Sequence, residues 1–425
     1  MSKQLLDWNL LVTMVGLFAT GSGIVRAQDA TTQPKPEPKS ERPPSIHFDL
    51  EKLSRVPEVF PAEGMQVDGV KSFFYAGLPY HGRPTKVFAY YGVPKETGEG
   101  ADRPRKLPAM VLIHGGGGTA FDRWVKVWNA RGYAAIAMDL CGCVPVGSYG
   151  KWTRHEAGGP PGWDASFGQL ADPIQDQWTY QAVSAVLLAH SLIRSYPEID
   201  PDRIGVTGIS WGGYLNCIVA GVDPRFKCAM PVYGCGFLGD NSAWLNQLKN
   251  LGPDQSALWL SQWDPSVYLP QTRMPMLWVN GTNDFAYPPD SYQKSYRLPK
   301  SDRTLCIRVR MPHGHGPAGE NPEELFIFAN SILKKEPALA RITGQGNSNE
   351  EAWATFQSSV PITSAELAWT ADTGRWQDRK WEQLPATIDA QTGRVSAKLP
   401  AAARVFYLNL FDDRKCAVST EHVER

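Results

Sequence analysis

From Ala109 to Lys335 the chain sets short, continuously apolar runs against longer stretches with helical spacing. The apolar runs are AMVLIHG from Ala109, AAIAMD from Ala134, IGVTGIS from Ile204, CAMPVYG from Cys228, MPMLWVNGT from Met274 and TLCIRVRM from Thr304. Between them, helices are predicted near Phe121 to Arg131, from Asp176 to Tyr196, after Gly213 and from Pro322 to Lys335. Strands that are apolar at every position belong in a sheet covered on both faces, and strand–helix alternation gives parallel order. Two β-rich runs lie upstream, VKSFFYAGL from Val70 and PTKVFAYYGVP from Pro84, with turn-forming residues from Pro79 to Arg83 between them. The expected fold class is therefore α/β: a doubly wound, mostly parallel sheet begun by an antiparallel hairpin, over residues 46–340.

Past Lys335 the pattern changes. Short β-type runs such as SAELAWTAD, TGRVSAKLP and ARVFYLNLFDD are separated by turn signals at Thr373-Gly374 and Thr392-Gly393. Residues 341–425 are expected to form a linker and a small β-sandwich that docks on the first domain and contributes no catalytic group. At the other end, Lys3 precedes an apolar stretch closed by Val25-Arg26-Ala27, which reads as a signal peptide over 1–27 and implies a secreted or periplasmic protein. Residues 28–45, rich in Pro, Lys, Glu and Ser, read as a disordered tether.

Composition narrows the class. Hydrophobic residues make up 42% and charged residues 20%, ordinary values for a globular protein, and the formal net charge is +0. A balanced charge argues against a nucleic-acid or anionic membrane partner. No later segment is long and apolar enough to span a bilayer. The seven cysteines are odd in number and scattered, unlike a disulfide framework or a zinc site. They read as small buried hydrophobes, with Cys141 and either Cys143 or Cys235 as the pairs to inspect.

The chemistry concentrates in Gly208-Ile209-Ser210-Trp211-Gly212-Gly213, placed between an apolar strand and a helix. A sharp strand-to-helix turn lifts a serine hydroxyl above the sheet and leaves room only for glycine beside it. In another context the same letters would be a glycine-rich turn. A serine hydroxyl needs a base, and the base needs an orienting carboxylate. Asp284, after the strand MPMLWVNGT, suits the acid, whereas Asp290 suits a helix cap. Met311-Pro312-His313-Gly314-His315-Gly316 offers two imidazoles. With the strand running to Met311, His315 is the expected base and His313 the alternate. His114-Gly115-Gly116-Gly117-Gly118 follows AMVLI, where backbone N–H groups can approach an oxyanion, so Gly115 or Gly116 is expected to act with the N–H of Trp211. As a phosphate loop the same segment lacks the Lys-Ser/Thr ending.

On these motifs, together with RGYAAIAMD and DRIGVTGISWGG, the chain resembles the dienelactone hydrolase and prolyl oligopeptidase-like branch of the α/β-hydrolases over about Gly77 to Leu333. Within it the chain is similar to secreted bacterial acetylxylan esterase-like proteins. The resemblance implies a serine carboxylic-ester hydrolase acting through Ser210, Asp284 and a histidine, with no metal or organic cofactor, on an ester such as an acetylated plant or algal saccharide. A dienelactone hydrolase proper uses cysteine as nucleophile, which the serine here argues against. A serine peptidase of the prolyl oligopeptidase type and a non-catalytic carbohydrate-binding protein are the alternatives. The lead-in of roughly forty residues before the hydrolase region is too short for a propeller. Two insertions at the carboxyl ends of strands, one from Leu140 to about Gln177 with Trp152, Trp163 and Trp178, the other with Phe237, Trp244, Trp259 and Trp263, are expected to shape the rim. Their tryptophans suit sugar stacking, although for any one of them packing is the simpler role.

Overall fold

A computed structural model of the protein describes residues 46–95, 106–162 and 166–425. The leader expected at 1–27, the tether expected at 28–45 and Trp163 lie outside the described residues.

The apolar runs form a nine-stranded sheet. Its strands are β1 (Val59–Pro61), β2 (Lys71–Ala76), β3 (Lys86–Gly92), β4 (Leu107–Ile113), β5 (Ala134–Met138), β8 (Ile199–Ile209), β9 (Cys228–Val232), β10 (Met276–Gly281) and β11 (Arg303–Arg308). They lie in the order β1-β2-β3-β5-β4-β8-β9-β10-β11. From β5 through β11 every neighbour is parallel, while β1, β2 and β3 are antiparallel and β3 joins β5 antiparallel. The central strands are buried along almost their whole length because helices cover both faces. The helix Trp178–Arg194 is buried at every position from Trp178 to Ile193, as a helix enclosed on all sides must be. Part of its cover is the first described segment, where Phe48 stacks on Tyr180 at 4.8 Å between ring centres.

Both insertions leave the sheet where expected. After β5 the chain forms a hairpin, β6 (Cys143–Ser148) with β7 (Lys151–Arg154). After β9 it forms the helices Leu245–Leu251 and Pro253–Trp263. Most of the tryptophans are packing elements. Trp178, Trp244, Trp259 and Trp263 are buried, and three of their indole N–H groups are held by protein oxygens: Trp178 by Leu140 O at 2.8 Å, Trp259 by Ser166 O at 3.3 Å and Trp263 by Gln177 Oε1 at 2.7 Å. They fasten the insertions to the domain, which removes them as sugar platforms.

The C-terminal region forms two antiparallel sheets. One has the order β12 (Arg341–Asn347), β13 (Glu351–Gln357), β17 (Arg394–Lys398), β16 (Thr387–Asp389). The other has β15 (Glu382–Pro385), β14 (Ile362–Thr370), β18 (Val405–Asp412), β19 (Ala417–Ser419), with β20 (Val423–Glu424) also on β18. Ala354, Leu367, Val395, Phe406 and Leu408 share a core between them. This sandwich covers β11, an edge of the large sheet. The Ile307 N–H donates to Ser419 Oγ at 2.8 Å, and Asn409 Nδ2 donates to Ile307 O at 3.2 Å. Side chains thereby satisfy an edge that would otherwise offer a template for another strand. Six of the seven cysteines are buried and Cys141 is half-buried, and none of the inspected pairs is a disulfide.

Candidate active site

β8 ends at Ile209, and the helix Trp211–Val222 starts two residues on. Ser210 occupies the turn with φ 58° and ψ −118°, a conformation an L-residue adopts only when its surroundings impose it. The glycines make the turn possible. A Cβ on Gly208 would lie 2.1 Å from Gly212 O, and one on Gly212 would lie 2.0 Å from Ile113 O.

Asp284 follows β10 and is buried. Its Oδ1 accepts the N–H groups of Ala286 at 2.9 Å and Tyr287 at 2.7 Å, which leaves Oδ2 to face an imidazole. That imidazole is His313: its Nδ1 lies 2.6 Å from Asp284 Oδ2 and its Nε2 lies 2.8 Å from Ser210 Oγ. The expectation of His315 as base is thus corrected to the alternate, His313. The physical reason is where the strand stops. β11 ends at Arg308 rather than Met311, and Arg310 turns the chain with φ 54°. His313 therefore already stands five residues past the strand, beside the nucleophile.

His315 does something else. Its Nδ1 lies 2.9 Å from Glu320 Oε1, which also accepts from Arg123 at 2.7 Å, and its Nε2 accepts the Gly115 N–H at 2.9 Å. Burial holds the His315 imidazolium below its usual pKa, against the upward pull of Glu320. Burial raises the Glu320 carboxyl, but its bond to His315 and the nearby Arg123 outweigh that and keep it below the usual carboxylate range. The pair is a neutral imidazole donating to a carboxylate.

The glycine segment lies against the serine, since a Cβ on Gly115 would sit 3.1 Å from Ser210 Cβ. Its carbonyls are turned away and bound. Gly115 O accepts from His114 Nδ1 at 2.8 Å and Gly118 N at 3.0 Å, Gly116 O from Tyr149 Oη at 2.7 Å, and Gly117 O from Trp152 Nε1 and Gly150 N, both at 2.8 Å. The β6–β7 hairpin supplies the last three donors. With its N–H given to His315, Gly115 is not an oxyanion donor, which corrects one of the two glycines expected there. Trp211 is the first residue of the helix that follows Ser210.

Comparison with known proteins agrees with this geometry. An acetyl xylan esterase family model matches residues 50–247 and a prolyl oligopeptidase family model matches residues 168–328. Ser210 lies in both segments. Among solved structures, an acetyl xylan esterase from Paenibacillus sp. R4 superposes with TM-score 0.53 at 22% identity, over 67% of this chain and 92% of that one. Acetyl xylan esterase 1 from Thermoanaerobacterium does so with TM-score 0.51 at 16% identity, over 68% and 94%. The chain belongs to the α/β-hydrolase superfamily. This α/β-hydrolase is related to both the acetylxylan esterase and the prolyl oligopeptidase branches. Its sequence relatives include an uncharacterized peptidase, YuxL, of Bacillus subtilis, 27% identical over 48% of this chain, and dipeptidyl-peptidase 5 of Schizosaccharomyces pombe, 22% identical over 57%. The matches span only 30% and 32% of those two proteins.

Four contributors to the hydrolase's site were not singled out from the sequence. Arg123 comes from the helix Asp122–Ala130, Glu320 from the end of the short helix Pro317–Glu320, and Tyr149 from the tip of the hairpin. Asn283, next to the acid, donates through Nδ2 to Arg379 O at 2.7 Å, and Trp376 O and Gln377 O both lie 3.2 Å from the same nitrogen. Only Glu320 left a trace, as the first carboxylate beyond the two histidines.

Proposed function

We propose that this α/β-hydrolase is a carboxylic-ester hydrolase that removes acetyl groups from saccharides. The hydrogen-bonded line Ser210 Oγ, His313 Nε2 and Nδ1, Asp284 Oδ2 carries the proposal, with contacts of 2.8 and 2.6 Å. In the reaction His313 takes the proton of Ser210 as its oxygen attacks the ester carbonyl, and the N–H groups of Gly116 and Trp211 hold the developing oxyanion. His313 then protonates the leaving alcohol, and water hydrolyses the acyl-enzyme with His313 again as base. Asp284, fixed by two backbone amides, keeps the imidazole in the tautomer that accepts from serine.

The saccharide assignment draws on the acetyl xylan esterase model, which matches the segment holding the nucleophile, and on two exposed aromatics. Tyr149, 57% exposed, covers Gly117, and Phe285, 56% exposed, lies 4.9 Å from the His313 ring. Both rings are exposed enough to meet a sugar that stacks its C–H face. The apolar stretch after Lys3, read as a leader over 1–27, supports placing the activity outside the cytoplasm. The second reading, a serine peptidase, draws on the prolyl oligopeptidase model over 168–328. Turnover of acetylated xylo-oligosaccharides, p-nitrophenyl acetate, feruloyl esters and proline amides separates the two. Faster cleavage of a proline amide than of any acetyl ester would overturn the esterase assignment and leave the triad in place.

A further inference from the structure

We infer that His315 is a positioning residue that holds the oxyanion loop in register by accepting the Gly115 N–H, so that the Gly116 N–H faces the reacting carbonyl. The inference rests on the serine-hydrolase mechanism proposed above.

Both polar groups of the Gly115 backbone are committed to imidazoles. The N–H donates to His315 Nε2 at 2.9 Å, and the carbonyl accepts from His114 Nδ1 at 2.8 Å. Across a trans peptide the N–H of the next residue points opposite the carbonyl, and no cis peptide occurs among the described residues. Fixing Gly115 at both ends therefore fixes the direction of the Gly116 N–H. The His114 ring is itself held, since its Nε2 accepts the Leu140 N–H at 3.0 Å. It can only donate through Nδ1.

The same logic sets the tautomer of His315. Its Nδ1–H donates to Glu320, which leaves the Nε2 lone pair for Gly115. Arg123, on the helix Asp122–Ala130, anchors that carboxylate. The other groups around the ring are Phe121 at 4.7 Å, Trp124 at 5.7 Å and Tyr149 at 6.4 Å between centres. These aromatics keep the imidazole dry and in one orientation. Arg123, Glu320 and His315 thus form a second carboxylate–histidine line beside the catalytic one, ending on a backbone amide instead of a hydroxyl.

The test compares His315→Leu, which removes the acceptor, with His315→Gln, whose amide oxygen can reach the Gly115 N–H. His315→Leu is expected to lower kcat on p-nitrophenyl acetate by roughly 10²-fold with KM changed by less than about twofold, as for loss of an oxyanion contact. Inhibition by phenylboronic acid, which forms a tetrahedral adduct on a serine, should weaken in parallel. His315→Gln should recover at least about tenfold of the lost kcat. If His315→Leu does not fold, Glu320→Gln is measured in the same assays. Arg123 would hold the Gln oxygen and leave its NH₂ to donate to Nδ1, turning an Nε2–H against the Gly115 N–H, so a fall in kcat at unchanged KM is again expected. Unchanged kcat and boronate affinity in a folded variant, or equal loss in His315→Leu and His315→Gln, would overturn the inference. Ester turnover by the wild type that vanishes in Ser210→Ala keeps the parent mechanism standing in that event.

Discussion

Ser210, His313 and Asp284 act as one unit, so their removal is expected to be non-additive. His313→Ala should lower kcat on an acetyl ester by roughly 10⁴–10⁶-fold, about as much as Ser210→Ala, and the double variant should be no worse than either. Steady-state rates on p-nitrophenyl acetate, with circular dichroism to confirm folding, check this. A mild effect at His313 would return the base to another residue. Of the two exposed aromatics, Phe285 is the cleaner probe, because Tyr149 also holds Gly116. Phe285→Ala is expected to raise KM for an acetylated xylo-oligosaccharide by roughly 2–10-fold, in line with about 0.5–1.5 kcal/mol for a stacking contact, and to leave KM for p-nitrophenyl acetate nearly unchanged. Equal changes for both substrates would remove Phe285 from saccharide binding. Far from the site, buried His190 donates through Nδ1 to Asp223 at 2.9 Å and stacks on Phe226 at 3.7 Å. Burial lowers its pKa from 6.5 to about 4 despite the pull of Asp223. A folded-state pKa below the unfolded one means that the unfolded chain binds the proton first as the solution is acidified. Stability should therefore fall between pH 6.5 and about 4, by an amount on the order of 3 kcal/mol if each pKa unit contributes about 1.4 kcal/mol. Urea melts of His190→Phe across that window should show a shallower slope than the wild type.

Among the elements, the strand–turn–helix that presents Ser210 depends on glycines that touch backbone. Gly208→Ala and Gly212→Ala would drive a Cβ to 2.1 and 2.0 Å from main-chain oxygens that cannot move aside. Each is expected to cost roughly 1–3 kcal/mol or more and to lower the melting temperature. Gly374→Ala, with nothing within 4 Å, should be neutral or slightly stabilising, and thermal melts of the three variants check the contrast. The same elements show what sequence could and could not convey. Continuous apolar runs located the central strands well, because a strand covered on both faces has no polar interruption: MPMLWVNGT became Met276–Gly281. TLCIRVRM was extended three residues too far, since Val309, Arg310 and Met311 keep a β-like composition while Arg310 takes the left-handed turn. Nothing in an arginine announces that turn, and this is why the two histidines exchanged roles. The nucleophile, the acid and the glycine segment were legible because each lies at a strand end with distinctive letters. The holding network was not. Arg123, Tyr149 and Glu320 are scattered over nearly two hundred positions and meet only in three dimensions. For the tryptophans, composition states that an insertion is aromatic and not which way its rings face, and packing, the simpler role for any one of them, is what Trp178, Trp244, Trp259 and Trp263 do.

Across the whole molecule, the sandwich contributes no member of the triad, yet it is joined to the loop that carries one. Asn283 spans the gap through its bonds to the backbone near Trp376 and Arg379, and Ser419 and Asn409 cap the edge strand. Asn283→Ala should lower kcat severalfold while leaving the melting temperature within a few degrees. Truncation after Lys335 should damage activity on p-nitrophenyl acetate as well as solubility, because it bares β11 and frees the Asp284 loop together. Full turnover by a soluble truncated protein would show that the loop holds its shape unaided. The joint also bears on how the enzyme would fail under heat. A loop braced from outside its own domain loses its support when the two parts separate, and regions within a protein open at different free energies. Activity is expected to disappear reversibly at a temperature several degrees below the main unfolding transition, at the point where the sandwich lifts from the sheet and the acid can no longer hold the imidazole. Catalytic rate would then serve as a thermometer for docking, and Asn283→Ala would lower its reading while calorimetry of the hydrolase core stayed in place.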